Sequence, residues 1–117
     1  MKQSAKRWTE LTRLAALKRD LELNALAAMQ FKMADQTSAL LSLANSLTDR
    51  SRQLNEMEIP DSALLARTDE GWMAWTNAER NRRLMDLART KSAYEQQLDK
   101  ARLAFGKAET VKRLGKK

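Results

Sequence analysis

Large apolar side chains recur every seven residues along the first half of the chain. The series consists of Leu26, Met33, Leu40, Leu47 and Leu54. Three further apolar residues follow members of this series by three positions, namely Met29, Leu43 and Met57. An α-helix with apolar residues at first and fourth heptad positions winds around a second helix. The pattern therefore predicts a coiled coil.

A first helix is predicted over about residues 4–57. Ser4 is a suitable capping residue, and neither glycine nor proline occurs before Pro60. Apolar residues upstream of the heptads recur at intervals of three and four, namely Trp8, Leu11, Leu14, Leu17 and Leu21. We expect these side chains to enter the same core, after a stutter in the heptads just before Leu26.

The strongest break in the pattern is Glu58-Ile59-Pro60-Asp61-Ser62. Proline disfavours helix at the preceding residue and suits the first turn of the next helix. We therefore predict a turn over about residues 58–61 and a second helix over about residues 61–113. Thr68-Asp69-Glu70-Gly71 is a weaker boundary, where we expect a kink or restart near Gly71. Heptad-like spacing then resumes with Trp72, Trp75, Leu84, Leu87, Tyr94, Leu98, Ala101, Phe105 and Ala108.

Two long helices of nearly equal length, joined by a tight turn, predict an all-α antiparallel coiled-coil hairpin in a single domain, residues 1–117. Pairing residues about Ile59 sets large apolar groups opposite one another: Leu43 and Trp75, Leu21 and Leu98, Leu14 and Phe105. The level at which Arg80 and Arg83 face Gln36 is predicted to be thinly packed. A parallel dimer of long helices is the competing arrangement, but Pro60 interrupts it.

Residue types argue against catalysis. The chain contains no cysteine and no histidine, which removes thiol nucleophiles, histidine acid–base chemistry and the usual zinc ligands. It also has no glycine-rich phosphate loop and no catalytic constellation. We therefore predict no enzyme, no cofactor, no metal and no small-molecule substrate. The basic segment Met1–Glu10 leads into no continuous apolar run, so we expect neither a signal peptide nor a membrane span, and hence a cytoplasmic protein.

The net charge of +7 is concentrated at the two ends of the chain. Residues 1–20 carry six basic and two acidic side chains, and residues 100–117 carry seven basic and one acidic. An antiparallel hairpin joins these ends into one basic tip, which we predict binds an acidic partner. The candidate contact residues are Arg7, Arg13, Lys18, Arg102, Lys107, Lys112 and Arg113.

A second candidate surface lies in the middle of the second helix. Two tryptophans three residues apart share one helical face and are followed by arginines. Tryptophan on a two-helix rod is seldom fully covered, so this stretch is either core packing or a partner-binding site. The candidate residues are Trp72, Trp75, Arg80, Arg82 and Arg83.

Two stretches resemble a known family in their layout. The alanine- and leucine-rich segment RLAALKRDLELNALAAM lies in the first helix, and YEQQLDKARLAFGKAETVKRLGKK ends the second. With the central break between them, the chain resembles the FliJ/YscO family, the coiled-coil stalk proteins of flagellar and injectisome type III export. The WMAW segment matches no motif of that family.

The resemblance implies a non-enzymatic function. Members of the family insert into the centre of a hexameric export ATPase and promote its assembly and turnover. They also contact the export gate protein and export chaperones. The resemblance implies that the basic tip enters an acidic-lined ATPase pore and that the tryptophan and arginine surface meets the gate or a chaperone. It places the protein in the cytoplasm, at the cytoplasmic face of the inner membrane through its partners.

Two other classes of function remain open at the level of sequence. A coiled coil that binds nucleic acid would use the same basic tip on phosphates, but few aromatic residues lie beside the cations. A generic coiled-coil structural adaptor would need no ATPase partner.

Overall fold

Nearly all of the chain is helical. The computed structural model describes the backbone of residues 2–56 and 62–115, and the side chains of residues 3–56 and 68–115. Helix α1 is Lys2–Glu56 and helix α2 is Ser62–Gly115.

These bounds lie within two residues of the predicted ones at every end. The predicted turn over residues 58–61, with Pro60, lies outside the described residues. The prediction of an all-α hairpin of two long helices is confirmed.

A restart of the helix near Gly71 is ruled out, because α2 continues through this position as a single helix, whereas the expected kink stays a prediction. The acidic residue beside it is held by a contact from the other helix. The Nε atom of Arg50 lies 3.3 Å from a carboxylate oxygen of Asp69. Asp69 therefore serves as a cross-helix partner within α2 and does not start a new helix.

The chain divides into two compact units, each containing part of both helices. The terminal unit consists of Met1–Lys32 and Thr90–Lys117, and the central unit consists of Met33–Arg89. Within the terminal unit, the Nε2 amide of Gln30 donates to the hydroxyl of Tyr94 at 3.0 Å, and that of Gln97 to the backbone carbonyl of Glu22 at 3.0 Å. The earlier residue of α1, Glu22, therefore contacts the later residue of α2, Gln97, and the later residue of α1, Gln30, contacts the earlier one of α2, Tyr94. The two helices are thus antiparallel.

One face of α1 keeps a strict heptad register along nearly its whole length. Its partly covered side chains recur at alternating intervals of four and three residues, and none of them is fully exposed. The series is Trp8, Thr12, Ala15, Arg19, Glu22, Leu26, Met29, Met33, Gln36, Leu40, Leu43, Leu47, Arg50 and Leu54. The predicted core from Leu26 to Leu54 is confirmed, but the predicted stutter before Leu26 is wrong.

The predicted core upstream of Leu26 is also wrong for its leucines. Leu11 is 48% exposed, Leu14 63% and Leu21 65%. Steps of seven back from Leu26 reach Arg19 and Thr12, and steps of seven back from Met29 reach Glu22, Ala15 and Trp8. The side chains that face α2 in this part of α1 are therefore mostly small or polar. The leucines lie on the flank of α1, beside the face that contacts α2.

Small residues of α2 complete the seam of the terminal unit, that is, the line along which α1 and α2 are in contact. Ala101, Ala104 and Ala108 are almost fully buried. Alanine leaves little side chain between two helix backbones, so the helices approach closely and bulky neighbours are left outside the contact. The predicted pairs Leu21 with Leu98 and Leu14 with Phe105 are therefore wrong, and Phe105 itself is exposed.

The central unit is packed less regularly. Its most buried side chain is Thr76, whose hydroxyl donates to the carbonyl of Trp72 at 2.8 Å. Trp75 is 59% exposed, so its predicted pairing with Leu43 is wrong. The covered positions of α2 in this unit include two successive intervals of four residues, at Glu79, Arg83 and Leu87. This is the spacing of a stutter, and it lies in α2 and not, as predicted, in α1.

Candidate functional site

The candidate basic residues all belong to the terminal unit and are all exposed. They are Arg7, Arg13 and Lys18 from α1, and Arg102, Lys107, Lys112 and Arg113 from α2. The two helices thus bring cations from both ends of the sequence into one body. The end of this body is closed by Trp8, whose indole lies against Gly115 so closely that a Cβ atom there would collide with it.

The two units differ strongly in charge. The terminal unit contains fifteen lysines and arginines against six aspartates and glutamates, a net charge of +9. The central unit contains seven against nine, a net charge of −2. The net positive charge of the protein therefore lies in the terminal unit, and a surface of this charge favours acidic over basic groups.

An apolar groove lies between these cations, and the sequence did not predict it. This terminal groove has a volume of about 670 Å³. Its lining includes Leu11 and Leu14 from α1 and Leu103 and Val111 from α2. A second heptad series on α1, next to the seam, is the sequence signal for it: Leu11, Leu14, Lys18 and Leu21.

Cations border the terminal groove. Arg102 and Lys107 line it beside Leu103, and a smaller groove that shares Leu103 and Lys107 with it is lined also by Lys18 and Lys100. Glu22, in the smaller groove, is the one acidic residue among those described as lining either groove. The surface is therefore apolar at its centre and basic at its edges.

The carboxylate of Glu22 is already engaged by neighbouring side chains. The Nζ atom of Lys18 lies 2.8 Å from it, and the amide of Gln97 donates to it from α2. The hydrogen bond from Lys18, followed by that from Gln97, lowers the pKa of Glu22 below the ordinary glutamate value. The ionised form of this carboxylate is therefore favoured chiefly by Lys18 and Gln97, with a smaller attraction from Lys100.

The second candidate surface belongs to the central unit. Trp72 is half-buried, whereas Trp75 presents more than half of its surface to solvent. An exposed tryptophan offers a large apolar area and an N–H donor to a partner. Only Trp75 of the two is thus available as the predicted contact.

Two of the three candidate arginines are held by one carboxylate. Arg82 and Arg83 lie 2.7 Å and 3.1 Å from Glu79, which is largely covered. The hydrogen bond from Arg82 is the main cause of a lowered pKa at Glu79. Arg80 instead lines an apolar groove of about 540 Å³ with Leu40, Leu43 and other residues of the central unit. The three arginines therefore have different surroundings and do not form one cluster.

The thin packing expected opposite Gln36 stays a prediction, but two features of the structure bear on it. A cavity of about 150 Å³ lies between Gln36 and Arg83. The Oε1 atom of Gln36 is buried and has no hydrogen-bond partner among the described residues. Buried polar atoms of this kind destabilise the fold locally, so this level of the central unit is a weak point.

Comparison with known proteins does not identify the chain. No protein family, no curated protein and no solved structure matches it. Neither α1 nor α2, within its described residues, contains a stretch apolar enough to serve as a membrane span.

Acid should remove the contribution of Glu22 to stability. Because the pKa of Glu22 is lowered in the folded chain, its carboxylate stabilises the fold above the ordinary glutamate pKa. This contribution is lost as the pH falls through the lowered value. We expect the melting temperature of Glu22→Gln to be lower than that of the unaltered chain at neutral pH. The difference between the two melting temperatures should disappear in acid. Circular dichroism during heating measures the melting temperature at each pH.

The control for this prediction is the partner of the carboxylate. Lys18→Met should reproduce part of the loss at neutral pH, because the hydrogen bond from Gln97 remains, and adding it to Glu22→Gln should cost little more, since the Lys18 contact is then already lost. A gap that persists unchanged in acid would contradict the assignment to the carboxylate.

Proposed function

We propose that this protein is a non-enzymatic coiled-coil stalk, or adaptor, of a bacterial flagellar type III protein export apparatus. In this proposal its terminal unit binds the hexameric export ATPase and promotes its assembly and turnover. The concentration of a net charge of +9 in the terminal unit is the observation that carries the proposal. The resemblance to the FliJ/YscO layout supplies the identity of the partner.

Charge gives this surface a physical role in reaching the ATPase. Cations gathered on one body attract an acidic-lined opening over several ångströms and raise the rate of encounter. Exposed residues such as Arg7, Arg13 and Arg113 are free to make this contact because they lie at the surface of the terminal unit. Apolar contacts that form after encounter would then slow dissociation.

Exposed leucines between the cations favour a protein partner over nucleic acid. Phosphate backbones are bound mainly by charged and polar side chains, and single-stranded bases by aromatic ones. Leu11, Leu14 and Leu103 are neither polar nor aromatic, and they occupy the centre of the basic face. This surface has the apolar centre and polar rim of a protein interface.

A second contact, with the export gate protein or an export chaperone, is proposed for the surface around Trp75. Its support is the exposure of this indole, together with Arg80 and Arg82 on the same stretch of α2. The proposed location follows from these partners. The protein acts in the cytoplasm, held at the cytoplasmic face of the inner membrane by the export apparatus.

Charge reversal in the terminal unit tests the ATPase contact. We expect Arg13→Glu with Arg113→Glu to weaken binding to a purified export ATPase hexamer at least about tenfold, because attraction becomes repulsion. The matched control, Arg52→Glu with Arg89→Glu, reverses two exposed arginines of the central unit and should bind normally. Helicity, measured by circular dichroism, should be unchanged in both variants.

Partner capture from a flagellated bacterium's lysate, treated with nuclease, provides the second readout. Recovery of an export ATPase that depends on Arg13 and Arg113 would support the proposal. Equal binding by the reversed and unaltered chains would contradict it. Loss of every partner after nuclease treatment would assign the basic surface to nucleic acid instead.

Removal of the exposed indole tests the second contact. Trp75→Leu should weaken binding to the gate protein or chaperone while leaving ATPase binding unchanged, because Trp75 belongs to the central unit. Phe31→Leu changes an exposed aromatic residue of the terminal unit and serves as the control. Unaltered binding to gate and chaperone alike would rule this surface out.

A further inference from the structure

We propose that the terminal groove binds one amphipathic helix of a partner protein, apolar on the face that enters the groove and acidic along its two edges. The terminal groove is a different feature from the general basic surface, because its centre is apolar. The inference does not require the export apparatus, since it depends only on the geometry and charge of the terminal unit.

Spacing on the two helices favours a helical occupant. On α1, Leu11, Leu14, Lys18 and Leu21 recur at intervals of three, four and three residues, beside the seam that contacts α2. On α2, Leu103, Lys107 and Leu114 recur at intervals of four and seven. Each helix therefore has one heptad series engaged and a second one open, which is the pattern of two helices that receive a third.

The large side chains of this second series are exposed although they are apolar. Leu14 is 63% exposed and Leu103 is 62% exposed, one on each wall of the groove. Soluble proteins seldom leave contiguous apolar patches in water, and those that they do leave mark interaction sites. Ala15 and Gly106 also line the groove, and their small size leaves room for the apolar face of another helix.

Charge complementarity determines the chemistry of the occupant. Arg102 and Lys107 line the terminal groove, and Lys18 and Lys100 line the smaller groove that shares Leu103 and Lys107 with it. The single carboxylate of Glu22 interacts chiefly with Lys18 and Gln97 and more weakly with Lys100, so these four cations remain in excess of it. A helix lying between these cations is therefore favoured when its edges carry aspartate and glutamate.

The same charges disfavour a second copy of this chain. Two terminal units facing each other through their grooves would bring together two bodies of +9 each. Like charges brought together across an interface destabilise it and slow the encounter. The occupant is therefore a helix of another protein.

A synthetic peptide tests the proposal with the full chain. The probe is a labelled amphipathic peptide of about three heptads, with leucine at first and fourth positions and glutamate at the flanking positions. The same peptide with lysine in place of glutamate is its control. Fluorescence anisotropy should show binding of the glutamate peptide, weakening with added salt because the charges are screened, and no binding of the lysine peptide.

Variants locate the binding site. Leu14→Gln with Leu103→Gln should weaken binding of the glutamate peptide at least about tenfold, since these leucines are the exposed walls of the groove. Leu17→Gln with Leu41→Gln changes two leucines that are 54% and 62% exposed and do not line the terminal groove, so it should bind as the unaltered chain does. Arg102→Glu with Lys107→Glu should weaken binding by a similar factor to the leucine changes in the groove.

Four results would overturn the proposal. These are no binding of the glutamate peptide, equal binding of the lysine peptide, unchanged binding after Leu14→Gln with Leu103→Gln, and self-association. Analytical ultracentrifugation would detect self-association as a dimer. Conversion of that dimer to a monomer by Leu14→Gln with Leu103→Gln would show that the occupant of the groove is a second copy of the chain. Because no export protein takes part in these assays, their failure leaves the proposed ATPase contact untouched.

Discussion

The register of α1 is the constraint on which the rest of the structure depends. A helix that keeps a strict seven-residue repeat presents one seam to its partner, and no stutter interrupts that seam between Trp8 and Leu54. In the central unit this seam is mostly apolar, with Met33 and four leucines, interrupted by Gln36 and Arg50. In the terminal unit the same register brings Thr12, Ala15 and Glu22 against α2, where Ala101 and Ala104 complete a contact between small side chains.

This register determines what the terminal unit offers to other molecules. Leu11, Leu14 and Leu21 lie beside the seam and are left in water, although in another register they would have formed the core. Cations from both ends of the chain surround them, because the antiparallel hairpin gathers those ends in one unit. One structural fact thus accounts for both the charge that attracts an acidic partner and the apolar groove that holds it.

Sequence predicted the fold and the coiled-coil core from Leu26 to Leu54, because there the apolar residues and the heptad seam coincide. It failed for Leu11 and Leu14, where an apolar series and a series of small and polar residues compete for the seam. Hydrophobicity favours burial of the leucine series. The small and polar series is buried instead, because it continues the heptads from Leu26 and because it packs against small residues of α2. A local sequence pattern contains neither of these two constraints. The candidate cations were predicted to be exposed because charged groups stay in water, whereas the groove between them depends on the register and was missed.

Cysteine pairs measure this register most directly, since the chain has no cysteine of its own. Glu22→Cys with Gln97→Cys places thiols at positions whose side chains meet across the seam, and Leu21→Cys with Leu98→Cys tests the register in which leucines form the core. The structure predicts that mild oxidation closes the first pair far faster than the second, because a disulfide needs closely spaced, facing Cβ atoms. Faster closure of the second pair would contradict the small-residue seam and, with it, the origin of the exposed groove.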